Sequence, residues 1–467
     1  MLFRSQEMKK RMYKIMALAM TAAMVVPMAA QTTAFAADDK EITYWNIAVE
    51  SPDKDIVTAA VDKFNKETKS GYTVNQVAIQ NDTYKEKLVI AMSSGECPDM
   101  YSSWSGGPMY EYIDSGFAQP IDDLLDQSDV KDKLLDAAIE QGSYNGHVYA
   151  IPYLNVSLAG IFYNKDMFKQ YGLEEPKTLA DLENICATLK ENGITPFALA
   201  NASKWTGSMY FMSLAARYGG LEPFQNAVAG TGKFTDDCFI KAGDKIQEWV
   251  KNGYFPDGVN SLSEDDGQAK QLMYQETAGM LLCGSWYTGT FQTDSEEFYQ
   301  KIGWFPFPAI DDSDADPTIQ IGTVGDQFIS FNCEGDKLAA AFECATDHLS
   351  DEVADITYSN NKIVPVKDAG DHIKDPVVKE IFDAAQEASS IQLWYDQYLP
   401  TSVATAHLDG LQEVFGLTKT PQEAQEEMQK AMDEYLSTKS DSGAADDTAE
   451  EATDDAATDD AAADDAE

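Results

Sequence analysis

Basic residues are scarce in this sequence, which has 34 lysines and arginines against 79 aspartates and glutamates and a formal net charge of −45. A protein that binds nucleic acid needs a basic face for the phosphates, and docking on anionic lipid needs basic side chains as well. The composition therefore excludes nucleic acid and an anionic membrane surface as partners.

Histidine and closely spaced cysteine are also sparse. The four histidines are far apart, and the six cysteines form neither a CxxC pair nor a metal-like spacing with histidine. We therefore expect no metal site and no cofactor. The even number of cysteines permits disulfides, but the sequence alone does not pair them.

No long apolar run occurs beyond the N-terminus. Residues 9–14 are mostly basic, residues 15–30 are apolar, and the small-residue pattern at 34–36 follows. This is the layout of a secretory signal peptide, and the apolar core is short for a helix that spans a membrane. We predict that residues 1–36 are a signal peptide, cleaved after Ala36, and that the mature protein is exported.

The opposite end of the sequence contains no basic residues. Residues 440–467 hold twelve acidic residues interleaved with alanine, threonine and serine. Such a segment cannot bury enough apolar surface to order itself, so we predict a disordered acidic tail over residues 440–467. It would serve as a solubilising end or as a loose cation-binding segment.

Strand and helix patterns alternate in the first part of the mature chain, which is long enough overall for two domains. The Gly95 that follows one apolar helical pattern is a typical helix end. The order β-α-β-α-β predicts an α/β lobe with a mainly parallel sheet. The predicted elements are a strand at 42–45, a helix at 53–69, a strand at 73–79, a helix at 83–94 opened by a capping box at Thr83, and a strand at 99–102.

The same alternation returns later in the chain. Thr178 begins a second capping-box pattern, residues 195–200 and 278–283 have strand patterns, and residues 268–274 have a helical one. The pattern therefore indicates two lobes. Beyond residue 375 the chain is predicted to be largely helical, ending in an amphipathic helix at 423–436 that packs Ala424, Met428, Ala431 and Tyr435 inward.

In open α/β sheets, ligands bind at the carboxyl ends of the strands, so the residues that follow each predicted strand are the candidates for a site. Four of the seven tryptophans lie at such ends. The candidates are Trp45 and Asn46, Trp104 and Ser105, Trp205, Trp286 and Tyr287, and Asp326 after the glycine-rich run 321–325.

Aromatic and polar residues in one place are typical of a sugar site. A pyranose ring has a flat face of C–H bonds, on which an aromatic ring stacks, and a rim of hydroxyl groups that aspartate, asparagine, glutamine or lysine can hydrogen-bond. The alternative for any single tryptophan is a place in the core or in an interface. The four together favour an amphipathic, sugar-like ligand.

Several motifs resemble those of the extracellular solute-binding proteins, the family that includes maltose-binding, raffinose-binding and multiple-sugar-binding proteins. They lie at residues 146–153, at the YNK-plus-acidic run 162–168, and at 303–308, 363–366 and 393–397. The resemblance covers nearly all of residues 41–435. It implies an α/β, two-lobed periplasmic-binding-protein fold (type II-like), with a helical C-terminal portion and hinge crossings near Pro152, Pro306 and Pro365.

The resemblance also implies a division of the chain and a function. Residues 37–153 and 307–363 would form the N-terminal lobe, and residues 154–306 and 364–439 the C-terminal lobe. The protein would capture a sugar, as an oligosaccharide, between the lobes and deliver it to the permease subunits of an ABC importer, acting as a monomer and without catalysis. By similarity, the cleft would contain Trp286, Tyr287, Asp326, Trp394, Asp396 and Gln397.

One departure from the family concerns the attachment to the cell. Gram-positive members usually carry a lipobox cysteine just after the signal peptide, whereas the first cysteine here is Cys97. The sequence therefore predicts no lipid anchor. A periplasmic location and an extracellular or cell-surface location both stay open.

Two other functions stay open at this point. Acidic and aromatic residues would also suit a cationic solute such as a polyamine. A secreted glycosidase would need two carboxylates that face one sugar, which Asp326 and Asp396 could supply.

Overall fold

The computed structural model describes residues 40–454, with side chains as far as Lys439. The predicted signal peptide, residues 1–36, lies outside the described residues, and so does the end of the predicted tail beyond residue 454. Within the described range, no helix has both the length and the apolar character needed to cross a membrane. The six cysteines, all of which lie in this range, are free thiols.

The strands are short, and most belong to two larger sheets. In chain order they are β1 Glu41–Asn46, β2 Thr73–Ala78, β3 Met100–Ser103, β4 Ser143–Tyr144, β5 His147–Val148, β6 Ala150–Pro152, β7 Ser157–Asn164, β8 Thr195–Phe197, β9 Ala278–Gly284, β10 Ile302–Phe305, β11 Gln320–Thr323, β12 Phe328–Phe331 and β13 Ile391–Gln392.

Helices connect these strands and dominate the C-terminal part, as predicted. They are Asp53–Glu67, Asn81–Ser94, Gly107–Asp114, Asp122–Asp126, Val130–Lys133, Asp136–Gln141, Lys165–Tyr171, Leu179–Glu191, Trp205–Gly219, Glu222–Val228, Asp237–Lys251, Gln268–Tyr274, Tyr287–Asp294, Glu296–Tyr299, Gly335–Asp347, Asp351–Ser359, Ala369–His372, Pro376–Glu387, Tyr395–Tyr398, Thr401–Phe415 and Pro421–Asp454, with a 3-10 turn at Val259–Ser261.

The two larger sheets confirm the α/β class and the two lobes. The first sheet has the order β2-β1-β3-β12-β6, and the second has the order β13-β11-β7-β9-β8, with β10 also paired to β7. Both sheets are mixed rather than mainly parallel. β1 and β3 are parallel, but β12 runs antiparallel to β3, and β7 runs antiparallel to β9. Strands that return from the other sheet, such as β12, enter in the opposite direction.

The chain passes between the two sheets at short crossings. The first lies between β6 and β7, beside the predicted crossing at Pro152. The next lies between β11 and β12, because β10 and β11 both pair with β7 in the second sheet. The sequence-based division placed residues 307–363 in the first lobe, whereas β11 within that range belongs to the second sheet.

Asn155 joins the crossings to one another. Its backbone carbonyl accepts a hydrogen bond from the Asp326 N–H at 2.6 Å, and its side-chain Oδ1 accepts one from the Ile363 N–H at 2.7 Å. The Val156 N–H donates to the Ile363 carbonyl at 2.7 Å. Asn155 is buried, so these bonds are shielded from water and fix the crossings relative to each other.

The two predicted capping boxes have different outcomes. Thr178 Oγ1 accepts from the Asp181 N–H, and Asp181 Oδ2 accepts from the Thr178 N–H, so this box is confirmed. The box at Thr83 is wrong, because the helix begins at Asn81 and Thr83 already lies inside its first turn. Asp82 there favours the earlier start through its charge near the helix N-terminus.

The last helix packs as predicted but is longer. Ala424 and Met428 are buried, and Ala431 and Tyr435 are packed against the same core. The helix continues to Asp454, and the disordered acidic tail over residues 440–467 stays a prediction. Alanine has the highest helix propensity, and extending an existing helix avoids the cost of nucleation.

Candidate functional site

A cavity of about 230 Å³ lies where loops from both sheets meet. Residues 47–53 follow β1, Trp104 follows β3, Trp286 follows β9, and Trp394 follows β13, and all of them line the cavity. Asp326, from the crossing between β11 and β12, lines it as well. The cavity therefore lies at the carboxyl ends of strands from both sheets, which is the position expected for a ligand site.

The side of the cavity that comes from the second sheet is aromatic. We refer to Trp205, Trp286 and Trp394 as the tryptophan wall. The Trp286 ring centroid lies 6.0 Å from that of Trp205 and 5.9 Å from that of Trp394, both edge to face. Gly284 leaves room for this arrangement, because a Cβ at that position would lie 2.0 Å from the Trp286 ring. The wall is thus fixed by ring-to-ring contacts.

The tryptophan wall also holds unpaired donors. The indole N–H groups of Trp205 and Trp394 are buried and have no hydrogen-bond partner among the described residues. Met209 and Met212 line the cavity beside this wall, from the helix that begins at Trp205. Thioethers adapt to irregular apolar shapes and make favourable contacts with aromatic rings.

The side that comes from the first sheet combines the loop 47–53 with polar residues and one indole. Lys85 Nζ lies 5.0 Å from the centroid of the Trp104 ring, within the range of a cation–π interaction. The same Nζ lies 3.4 Å from Asp396 Oδ2, whose side chain is only 9% exposed. Lys85 therefore contacts residues of both sides of the cavity.

Asp326 brings a buried carboxyl group to the cavity. The residue is 9% exposed, and its backbone is held by the hydrogen bond to Asn155 described above. Burial raises the pKa of the Asp326 carboxyl to about 7, because the charge of nearby Lys362 only partly offsets the loss of water and Asp53 adds a like charge. Near neutral pH this group can both accept and donate hydrogen bonds.

Glu264 is a second carboxyl group with a raised pKa. Burial raises its pKa to about 7, although Tyr287 and Lys270 favour the charged form. The Tyr287 hydroxyl donates to Glu264 Oε1. Its neighbour Asp265 accepts a hydrogen bond from the Asp82 N–H at 3.1 Å, and burial raises the pKa of the Asp265 carboxyl too.

The lysines of the cavity are already paired. Lys270 Nζ lies 2.9 Å from Asp294 Oδ2 and 3.6 Å from Glu50 Oε2, and Lys85 is paired with Asp396. Lining carboxylates outnumber the two lining lysines, and the surplus makes the cavity unfavourable for an anion. These carboxylates are Glu50, Asp53, Glu264, Asp265, Asp326 and Asp396.

The structure brings together most of the residues that the sequence predicts for the site. Contact between any of them and a ligand stays a prediction. Those that line the cavity are Trp104, Trp205, Trp286, Tyr287, Asp326, Trp394, Asp396 and Gln397.

Three predicted residues do not line the cavity. Trp45 lies within β1 and packs in a cluster with Tyr84. Asn46 is fully buried, and its Oδ1 accepts from the Ala48 N–H at 3.0 Å, so it shapes the turn after β1. Ser105 is buried as well. Asn46 and Ser105 are thus directed into the interior of the first lobe, whereas Trp45 lies half-buried on the other face of β1.

The sequence reasoning missed the polar residues that lie on or just before helices. Lys85 lies inside a helix, and Glu264 and Lys270 flank the start of another. A rule based only on strand ends does not find such positions. The signal for Glu264 is the acidic run 264–266 that precedes Gly267, which is typical of a turn that enters a helix.

Within residues 40–439, no group of three or more histidine, cysteine, aspartate or glutamate side chains is arranged to hold a metal ion. What the cavity offers to a ligand is stacking surface, carboxylate acceptors and amide groups.

Two relatives of known sequence match part of the chain. An uncharacterized ABC transporter extracellular-binding protein of Pyrococcus horikoshii is 31% identical over 228 residues, which are 48% of this chain and 50% of that protein. A multiple sugar-binding protein of Streptococcus mutans is 31% identical over 178 residues, 35% of this chain and 39% of that protein. The chain spans about half the length or less of these relatives.

Solved structures match over a larger share. One comes from work on xylan utilization by the thermophilic bacterium Caldanaerobius polysaccharolyticus. It is 28% identical with a TM-score of 0.77 and covers 84% of this chain and 99% of that chain. A chitin oligosaccharide binding protein has the same TM-score at 23% identity and covers 84% of this chain and 98% of that one, which shows the shared two-lobed fold.

A family model matches more than half of the sequence. It describes bacterial extracellular solute-binding proteins and matches residues 48–346, which include β2 to β12 and begin just after β1. The resemblance drawn from the sequence motifs is therefore confirmed, and the chain belongs to the family of bacterial extracellular solute-binding proteins.

Proposed function

We propose that this protein binds an uncharged sugar, in the form of an oligosaccharide, in the cavity between its two sheets. The observation that carries the proposal is that the tryptophan wall shares one cavity with Asp326, Asp396 and Gln397. Indole faces stack on the C–H face of a pyranose, and carboxylates and amides hydrogen-bond its hydroxyl rim. One cavity thus provides partners for both faces of the ligand.

The charge of the cavity supports an uncharged sugar rather than an acidic one. A uronate or a sugar phosphate would enter a site with six lining carboxylates, and both lining lysines are already engaged in ion pairs. A buried anion without a free cationic partner is costly. Hydroxyl groups, in contrast, are good donors to carboxylates.

The relatives support an oligosaccharide in particular. A multiple sugar-binding protein and a chitin oligosaccharide binding protein are among the matches, and another comes from work on xylan utilization. These ligands belong to those proteins. For this chain, these matches support an oligosaccharide as the class of ligand, and the thermal-shift panel described below identifies the sugar.

We further propose that residues 42–153 and 328–366 form the first lobe and residues 157–323 and 376–439 the second. A ligand that contacts both lobes favours the closed arrangement and so shifts the equilibrium toward it. Contacts that already join the two lobes across the cavity support this closed arrangement. They are Lys85 with Asp396, Glu50 with Lys270, and the Asp82 N–H with Asp265.

The role that follows is capture without chemistry. We propose that the exported protein acts as a monomer outside the cytoplasm and hands its sugar to the permease of an ABC importer, as its family membership suggests. A glycosidase would need Asp326 and Asp396 to act on one glycosidic bond. The ion pair with Lys85 instead engages Asp396 in a contact between the two lobes.

A thermal-shift panel tests the proposal. It contains xylotetraose, cellotetraose, maltotetraose, stachyose and chitotriose, with digalacturonate as the acidic sugar and spermidine as the cationic solute. A ligand that binds the folded state raises the melting temperature. We expect a rise with at least one uncharged oligosaccharide and none with digalacturonate. A rise with spermidine alone would favour a polyamine-binding protein, and release of shorter sugars after incubation would indicate a glycosidase.

A further inference from the structure

We infer that Gly106 and Gly107 form a seat for residues 397–399 and so position Asp396 and Gln397 at the cavity. A Cβ at Gly107 would lie 2.3 Å from the Leu399 carbonyl oxygen, and one at Gly106 would lie 2.4 Å from the Gln397 carbonyl oxygen. Real side chains do not approach backbone atoms so closely. The two glycines are therefore required for this contact, which we call the glycine seat.

The glycine seat joins the two lobes proposed above, on which this inference rests. Gly106 and Gly107 follow β3 of the first sheet, whereas residues 397–399 follow β13 of the second. A second contact lies beside it. The Thr401 N–H and hydroxyl donate to the two carboxylate oxygens of Glu111 at 3.0 Å and 2.6 Å. The seat therefore forms only when the lobes come together.

The glycine seat holds the segment that carries part of the ligand site. Trp394, Asp396 and Gln397 all line the cavity, and they precede Leu399 in the segment that rests on the glycines. If this segment were held away from the first lobe, Asp396 would also move away from Lys85. The glycines thus act through other residues, as positioning residues rather than as ligand contacts.

Gly107 is the better of the two positions to substitute, because the change should affect the contact between the lobes without straining the first lobe. Gly106 has φ 116°, where any L residue is strained within its own loop, so a substitution there would disturb the first lobe itself. Gly107 lies outside that region, at the start of the helix Gly107–Asp114. The three atoms nearest to the place that a Cβ of residue 107 would occupy all belong to Leu399 and Pro400, on the opposite side of the cleft.

Gly107→Ala should consequently leave the first lobe folded and prevent full closure. Alanine favours a helix, so the helix itself is not weakened. The backbone carbonyl of Leu399 cannot give way as a flexible side chain would. We expect the affinity for the sugar found in the panel to fall at least about tenfold, and more for Gly107→Val, because overpacking grows with side-chain size.

The control separates steric blocking from the loss of a contact. Glu111→Ala removes the hydrogen bonds to Thr401 but adds no bulk, so its affinity should fall much less than that of Gly107→Ala. Calorimetric titration measures the affinities, and circular dichroism with the unliganded melting temperature checks the fold. Wild-type affinity in a folded Gly107→Ala protein, or an equal loss in both variants, would overturn the inference.

A second experiment decides the question without any sugar. Glu111→Cys and Thr401→Cys are combined in a Cys97→Ser background, and dibromobimane, which becomes fluorescent when it bridges two nearby thiols, reports the approach of the lobes. Adding Gly107→Ala should slow bridging at least about tenfold. An unchanged rate would contradict the glycine seat. If no sugar binds the wild-type protein, the proposed function fails, and this rate still tests the seat.

Discussion

The two sides of the cavity are built differently. The second-sheet side carries the tryptophan wall, in which each indole touches the next. The first-sheet side consists of the loop 47–53 and polar residues, with a single indole, Trp104, covered by Lys85. A side fixed by ring contacts is preorganised for stacking, whereas a side of loops and paired charges contributes little until the lobes close. We therefore expect the second-sheet side to supply most of the affinity.

The largest expected effect is that of Trp286→Ala, in the middle of the tryptophan wall. It removes a stacking surface and loosens Trp205 and Trp394 at the same time. Stacking geometry contributes about 0.5–1.5 kcal/mol and the buried area adds to it, so affinity should fall about ten- to a hundredfold or more. Calorimetric titration with the sugar measures the loss, and the unliganded melting temperature should change little.

Trp304→Ala is the matched control for that prediction. Trp304 is 2% exposed in β10, away from the cavity. Loss of a buried tryptophan there should cost about 3–5 kcal/mol of the free energy of unfolding, with little effect on affinity. If Trp286→Ala behaved like this control, normal in affinity but destabilised, Trp286 would belong to the core rather than to the site.

Asp396→Ala should have the next largest effect. It removes a carboxylate that can accept hydrogen bonds from sugar hydroxyls, and it also breaks the pair with Lys85. Loss of a charged hydrogen-bond acceptor typically costs about 1.5–3 kcal/mol, so affinity should fall about ten- to a hundredfold. Asp383→Ala, which breaks only an exposed pair with Lys379, should leave affinity unchanged. If calorimetric titration gave the same affinity for both variants, Asp396 would not be a ligand-binding residue.

Trp104→Ala tests the first-sheet side and should have a smaller effect than Trp286→Ala. The lone indole contributes stacking and a cation–π contact with Lys85 but belongs to no chain of rings within the cavity. We expect a loss of about three- to tenfold in the same titration. A loss larger than that for Trp286→Ala would reverse the comparison between the two sides.

Strand ends predict some of the residues that line the cavity and not others, for physical reasons. The strand-end rule found Trp286 and Trp104 because the end of a strand leads directly into the cleft. It failed for Trp45 and Asn46 because β1 extends to Asn46, so both residues belong to the strand: Trp45 packs half-buried against the Tyr84 cluster, and Asn46 lies on the buried face. The alternation of helix and strand patterns along the chain predicted the α/β class. It did not predict the mixed sheets, because the direction of a strand depends on which sheet the chain has just left, and no local sequence pattern indicates this.

The paired charges of the cavity could not be predicted from local sequence. Lys85 and Asp396 are 311 residues apart, and Glu50 and Lys270 also come from different parts of the chain. Only the folded structure shows that they meet. The glycine pair at 106–107 is explained by the close approach of residues 397–399, which is a tertiary contact as well.

A separate prediction concerns stability and pH rather than affinity. The pKa of Asp326 is raised to about 7, so the folded state binds its proton more tightly than the unfolded state does. The stability from this group is present below the unfolded pKa of about 3.9 and is lost as the pH rises through about 7. Asp326→Asn should therefore gain stability relative to wild type between pH 5 and pH 8, by roughly 2–3 kcal/mol in denaturant titrations.

The comparison with wild type is needed because buried histidines act in the opposite direction. Burial lowers the pKa of His348 to about 4 and that of His407 to about 3. The stability that they contribute is present above pH 6.5 and is lost as the pH falls through those values. Both histidines are present in wild type and in Asp326→Asn, so the difference isolates the carboxyl group. A difference that does not vary with pH would contradict the raised pKa.

We propose that a sugar binds between the two sides of the cavity and closes the lobes on itself. Small-angle scattering of the wild-type protein tests it most directly, with and without a saturating concentration of the oligosaccharide that gives the largest thermal shift. The radius of gyration should be smaller with the sugar, because the ligand contacts the closed form better than the open one. An unchanged radius of gyration at saturation would contradict it.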